Sequence, residues 1–176
     1  MVFGSVDDRG KVVRDFGAIE GGKQTLARLA EQMAKAPVII ERTFDAPAEM
    51  VWKAIAEREQ MKQWYFDMEG FAPVVGTEFG FSVEHEGHRY VHLCKVTTVE
   101  PPRKLAYTWR YDGAEGDSLV TFDLIPEGDS TRLRLTHGGL HTFPKTPTYL
   151  RGNFVGGWTA LIGTELRKFL TEAAVE

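Results

Sequence analysis

Large aromatic side chains are the most abundant residues in this chain that could build a binding site. Its 176 residues include 11 Phe, 4 Trp and 5 Tyr. In the stretch KLAYTWRY, Tyr107 and Trp109 fall on the same side of a predicted strand. Because Tyr and Trp combine a broad apolar surface with one polar atom, they could hold a polar group of a ligand within an apolar wall. The aromatic residues therefore either line a binding site or fill a core.

Three closely spaced histidines invite comparison with a metal site. His85, His88 and His92 are separated by three and four residues, a spacing that would bring ligands together only on a helix. The segment instead has the pattern of a turn followed by a strand, and no Cys pair or carboxylate cluster completes a ligand set. We therefore expect no metal and no cofactor. His92 and His137 lie in predicted strands, where each could anchor a ligand or be an ordinary core histidine.

Residues arranged for catalysis are scarce. The sequence has no Gly-x-Ser-x-Gly motif, and Cys94 lacks the polar surroundings of a reactive thiol. Glu165 follows Trp158 by seven residues on the same predicted helical face, so it could face a cavity and act as an acid or base. It could instead reach water at the edge of the helix or pair with a cation such as Arg42 on the first strand. We expect no catalytic residue.

Composition and charge exclude several classes of protein. The formal net charge is −4 and no long basic run is present, which argues against a nucleic-acid partner. No apolar stretch reaches the roughly 18 residues of a membrane span, and the first 36 residues lack the apolar middle of a signal peptide. Cys94 is the single cysteine, so no internal disulfide can form. These features lead us to expect a cytoplasmic protein.

The first 36 residues differ from the rest and are predicted to be an extension of a domain formed by residues 37–176. Residues 1–22 show no sustained periodicity, so we expect a loop or a marginal hairpin there. Residues from about 22 to 35 place Leu26, Leu29 and Met33 on one face, which predicts an amphipathic helix ending before Pro37. Such a helix is either peripheral, docked on the domain or partly disordered, or it binds a partner protein.

The elements after Pro37 follow a regular order. VIIERTF predicts a strand, and DAPAEMVWKAIAE and REQMKQWYF predict two short helices. The next seventy residues alternate and are interrupted by turns, which predicts an antiparallel meander with one apolar face. A long amphipathic helix at the C-terminus would cover that face. Its glycines at 152, 156 and 157 would let the start of the helix hinge or pass close to another backbone.

This order resembles the helix-grip fold of START-like (SRPBCC) proteins. Within that superfamily the chain is similar to the family of the C-terminal domain of the heat-shock protein 90 ATPase activator, from about Val38 to Leu170. The similarity rests on six sequence segments: ERTFDAPAEMVWKAI, MKQWY, VVGTEFGF, VEPPRKLAYTW, TRLRLTHGGL and GWTALIGTELRKFL. It implies an α+β fold in which a curled antiparallel sheet of about six to seven strands wraps around the long C-terminal helix.

The resemblance also implies an elongated cavity between the sheet and the C-terminal helix. We expect this cavity to bind a small apolar or aromatic ligand without catalysis. The residues predicted to line it are Trp64, Phe79, Phe81, His92, Tyr107, Trp109, Phe122, His137, Trp158 and Ile162.

Two other functions stay open at this stage. One is a protein-interaction role, chaperone-associated or linked to stress response, through the sheet surface and the N-terminal helix. Direct stimulation of a chaperone ATPase is not expected, because 36 residues are too few for the separate chaperone-binding domain of the full activator. The other is a polyketide cyclase-type enzyme, which would need Glu165 to face the cavity together with His92 or His137.

Overall fold

The computed structural model describes residues 6–173, with side chains described from Ile19 onward. The chain divides into two compact units, residues 1–36 and residues 37–176. No helix within the described residues is both long enough and apolar enough to cross a membrane.

The first unit contains one helix, α1 (Val6–Lys35). It begins far earlier than residue 22, so the loop or hairpin expected before that residue does not form over residues 6–21, and residues 1–5 lie outside the described part of the chain. The prediction relied on the missing apolar periodicity, but a helix can form without it: the stretch contains no proline, and each glycine costs a helix only about 1 kcal/mol. At its end, Lys35 Nζ lies 2.7 Å from Glu31 Oε1, one helical turn away.

The second unit is built on a six-stranded antiparallel sheet with the order β1-β6-β5-β4-β3-β2. Two helices follow β1 as predicted, and a long helix ends the domain. The elements are β1 (Val38–Phe44), α2 (Ala48–Ala56), α3 (Arg58–Trp64), β2 (Glu78–His85), β3 (His88–Glu100), β4 (Lys104–Tyr111), β5 (Ser118–Glu127) and β6 (Ser130–Gly138).

The strand alternation seen in the sequence produces the buried face of the sheet. On β5, for example, Val120, Phe122 and Leu124 are buried while the residues between them are more exposed. The same alternation on the other strands builds one continuous core under the helices. Gly139, just after β6, has φ +85°, and a Cβ atom placed there would lie 2.6 Å from the Asp117 carbonyl oxygen, so only glycine fits.

The C-terminal helix is continuous but not uniform. A 3-10 turn (Pro147–Tyr149) leads into α4 (Arg151–Ala160), which passes through a π-helical turn (Leu161–Glu165) into α5 (Leu166–Ala173). Its buried residues are Phe154, Trp158, Ile162, Leu166 and Leu170. A residue at every fourth position drifts by roughly 40° per step around a regular α-helix. The π-turn, closed by the Leu166 N–H to the Leu161 carbonyl, takes up one extra residue and returns the later positions to the core.

The glycines near the start of this helix do not mark a close contact. A Cβ atom placed at Gly152, Gly156 or Gly157 would meet no atom of a neighbouring element within 4 Å. The expectation that they let the helix pass close to another backbone is therefore wrong. The close packing of this helix comes instead from its large buried side chains.

Candidate functional site

A cavity of about 520 Å³ lies between the sheet and the C-terminal helix. Strands β2, β3 and β4 form one wall, and α4 with the preceding 3-10 turn forms the other. Its volume falls within the range of about 300–1,000 Å³ that is usual for small-molecule sites. The lining residues are Phe66, Val83, His85, Glu86, Tyr90, His92, Trp109, Tyr111, Pro147, Thr148, Asn153, Phe154, Gly157, Trp158 and Leu161.

Three of the residues predicted to line a cavity do so, namely His92, Trp109 and Trp158. The other predicted residues are buried in the core but do not belong to this lining: Trp64, Phe79, Phe81, Tyr107, Phe122, His137 and Ile162. Three of them, Trp64, Tyr107 and His137, already have hydrogen-bond partners within the core. Trp64 Nε1 donates to the Ala54 carbonyl at 2.8 Å, and the hydroxyl of Tyr107 lies 3.1 Å from that of Tyr65.

Sequence reasoning missed much of the aromatic lining. Tyr90 and Tyr111 contribute to it, each lying two residues from a predicted position on the same strand face, which was the available signal. Phe154 lies four residues before Trp158, on the same side of the helix. All three were recognisable as inward-facing, but not as neighbours of a cavity.

Aromatic rings make most of the cavity wall on the sheet side. The ring centres of His92 and Trp109 are 4.8 Å apart with their planes nearly perpendicular, and those of His92 and Tyr111 are 4.6 Å apart. Trp158, from the helix, meets Trp109 at 5.5 Å. Phe81 stacks on the other side of His92 with ring centres 4.2 Å apart, so aromatic rings pack against the imidazole on both sides.

Two polar atoms of the wall have no hydrogen-bond partner among the described residues. They are His92 Nδ1 and Trp109 Nε1, both buried, in side chains that are only 4% and 6% exposed. A buried polar atom left without a partner costs about 1–3 kcal/mol. Both belong to residues that line the cavity, where a ligand could supply the missing partner once the side chains that cover these atoms move aside.

Burial sets the protonation of the polar groups around the cavity. It lowers the pKa of His92 to about 4, against the weaker opposing effect of the Phe81 and Tyr90 carbonyls, so this imidazole is neutral at pH 7. Burial raises the pKa of Tyr111 to about 12. The indole N–H of Trp109 opposes that rise, although it does not reach hydrogen-bond geometry with the Tyr111 hydroxyl.

His137, unlike His92, has both ring nitrogens engaged. The Ser118 hydroxyl donates to the Trp109 carbonyl at 2.7 Å, so at 2.9 Å it must accept from His137 Nε2–H. That leaves His137 Nδ1 to accept from Trp158 Nε1–H at 3.0 Å. The ring is therefore the neutral tautomer with its proton on Nε2, and burial lowers its pKa to about 3. It links Ser118 on β5 to Trp158 on α4.

The groups needed for acid–base or metal chemistry are not assembled here. Glu165 is exposed and does not line the cavity, so it forms no pair with His92 or His137 there. Asp123, another carboxylate on the sheet, does not line the cavity either. It forms an ion pair with Lys104, with 3.2 Å between the carboxylate oxygen and the ammonium nitrogen. Within the described residues, no group of three or more His, Cys, Asp or Glu side chains could hold a metal ion. His85 and His88 pair across the β2–β3 turn, and His85 lines the cavity together with His92, but these histidines form no such group.

A family model described as activator of Hsp90 ATPase homolog 1-like protein matches residues 45–171. The chain belongs to this family. The resemblance seen in the sequence and the expected helix-grip fold are thus confirmed. Among curated proteins, none matches the chain.

Several solved structures are similar. MLL2253 from Mesorhizobium loti is 30% identical with a TM-score of 0.64, and the match covers 77% of this chain and 97% of that one. CalU16 from Micromonospora echinospora is 27% identical with a TM-score of 0.61, covering 79% and 78%. Mll3558 from Rhizobium loti has a TM-score of 0.66 at 22% identity, covering 76% and 96%, which supports the fold alone.

Proposed function

We propose that this protein binds a small apolar or aromatic ligand in the cavity between the sheet and α4, without catalysing a reaction. The observation that carries this proposal is the aromatic wall containing two buried nitrogens, His92 Nδ1 and Trp109 Nε1, that have no protein partner among the described residues. Apolar pockets with a few polar anchors are the usual form of small-molecule sites.

An acid–base enzyme receives less support from the same residues. His137 is fully buried and both of its nitrogens are bonded, while Glu165 points to solvent. His92 stays neutral far below pH 7 because it is buried. The cavity therefore offers aromatic surface and hydrogen-bonding atoms rather than a proton donor and acceptor matched to neutral pH.

The test uses the four tryptophan indole signals in an amide NMR spectrum of the full chain during a titration with 2-naphthol. Binding in the cavity should shift the signals of Trp109 and Trp158, which line it. The signals of Trp52 and Trp64 should stay in place, since neither residue lines the cavity. If no Trp109 or Trp158 signal moved at millimolar 2-naphthol, the proposal would be wrong.

A pair of glycine variants then separates filling of the cavity from changes in the helix. Gly157 lines the cavity and Gly156 does not, yet both lie in α4 and a Cβ atom would meet open space at either. Gly157→Leu should weaken 2-naphthol binding at least about tenfold by occupying the site. Gly156→Leu should bind like wild type, because both changes favour the helix to a similar degree. Equal affinities in the two variants would place binding elsewhere.

A further inference from the structure

The indole N–H of Trp109, which has no hydrogen-bond partner among the described residues, restricts the type of hydrogen-bonding group that a ligand can place beside it. An indole nitrogen is only a donor, so its missing partner must be a hydrogen-bond acceptor. His92 Nδ1 does not require the ligand group to be a donor, because a neutral imidazole can present either an N–H donor or an acceptor nitrogen at that position. The two rings are neighbours in one wall, edge to face with their centres 4.8 Å apart.

The charges around the cavity limit the ligand further. No Lys or Arg is among the described residues that line it, and the single acidic residue, Glu86, is exposed. A carboxylate or phosphate taken into this site would lose its hydration without gaining an opposite charge, which is costly. The neutral His92 cannot supply that charge at pH 7. An anion is therefore a poor occupant.

The walls favour a flat ring over a flexible chain. Trp109 and Trp158 meet at 5.5 Å from opposite walls, and Tyr111 and His92 continue the aromatic surface on the sheet side. Rings that pack edge to face or offset on such a wall gain about 0.5–1.5 kcal/mol beyond the area they bury.

We infer that the ligand is an uncharged aromatic molecule carrying one hydrogen-bond acceptor, of the aryl ketone or quinone class, with its carbonyl oxygen accepting from Trp109 Nε1–H. This inference rests on the proposed function and assigns Trp109 as the residue that selects for the acceptor. The selection arises because an apolar ligand of the same shape leaves the indole N–H unpaired, whereas a ketone satisfies it.

Three probes of one shape test the inference on the full chain: 2-acetylnaphthalene, 2-ethylnaphthalene and 2-naphthoate. The ketone should bind at least as tightly as the hydrocarbon, and 2-naphthoate roughly a hundredfold more weakly than the ketone, because the anion loses its hydration. In wild type, the ketone should move the Trp109 indole proton downfield, as a new hydrogen bond does, and the hydrocarbon should not.

A matched pair of tryptophan variants isolates the hydrogen bond. Trp109→Phe should lower the ratio of ketone to hydrocarbon affinity by roughly fivefold to tenfold, while Trp64→Phe, which removes an indole already bonded to Ala54, should leave that ratio unchanged. Tight binding of 2-naphthoate, no downfield shift with the ketone, or an unchanged ratio in Trp109→Phe would overturn the inference. Failure of all three probes to bind wild type would instead refute the proposed function.

Discussion

The two buried histidines, His92 and His137, differ in how their ring nitrogens are used. His137 joins Ser118 to Trp158 through both nitrogens and so ties β5 and β6 to the C-terminal helix. His92 is held by stacked rings and keeps Nδ1 without a partner among the described residues. The same residue type therefore contributes stability at one position and a candidate ligand contact at the other.

The Ser118 hydroxyl should be important for stability because it is the acceptor for the buried His137 Nε2–H. Ser118→Ala removes that acceptor and also leaves the Trp109 carbonyl without the hydroxyl donor. We expect the free energy of unfolding to fall by about 1–3 kcal/mol, measured by urea denaturation at pH 7.5.

The matched control is Ser130→Ala at the start of β6. The Ser130 hydroxyl donates to Asp45 at the surface, so its loss should change the free energy of unfolding by no more than about 0.5 kcal/mol. If Ser118→Ala cost no more than Ser130→Ala, the His137 ring would not depend on the Ser118 hydroxyl.

At the scale of elements, the sequence predicted which side of each strand is buried but not where the cavity lies along it. Phe79 and Tyr107 have the same alternation as His92 and Trp109. Only the second pair lies where the sheet and α4 leave a gap. The alternation of residues identifies the buried face of a strand. It carries no information on which part of that face a helix covers. The extent of α1 was missed because the prediction required an apolar periodicity that its first half lacks, although a helix can form without one.

The π-helical turn predicts that the C-terminal helix tolerates the deletion of one residue within that turn. A turn closed from residue i to i+5 holds one residue more than an α-helical turn, so deleting Gly163 should convert it to regular helix with both flanks still in phase. Trp158 and Leu166 would keep facing the core. We expect the free energy of unfolding to change by no more than about 1 kcal/mol, measured by urea denaturation followed by circular dichroism.

Deleting Gly156 provides the comparison, because it also removes one glycine but lies within regular α4. It should rotate Phe154 by about 100° relative to Trp158 and cost several kcal/mol or prevent folding. Equal losses from the two deletions would mean that the π-turn does not set the phase of the helix.

For the whole molecule, the buried histidines connect stability to pH. Neither ring has an acidic hydrogen-bond partner among the described residues, and burial lowers the pKa of His92 to about 4 and that of His137 to about 3. In the unfolded chain both return to about 6.5. Between roughly pH 6.5 and pH 4 the unfolded state therefore binds more protons than the folded state, so stability is complete above that window and falls as pH decreases through it.

Each histidine should contribute a loss of up to about 1.4 kcal/mol per pH unit, so stability should fall by about 4 kcal/mol between pH 7.5 and pH 5. Urea denaturation across this range measures the loss. His92→Phe keeps a flat ring against Phe81 and removes one of the two groups, so its loss should be about half as large. A wild-type stability that stayed constant down to pH 5 would show that both rings take up protons in the folded protein, and a variant with the full wild-type slope would show this for His92. In that case His92 would be available as a cation at the cavity wall, and an anionic ligand would become the better match.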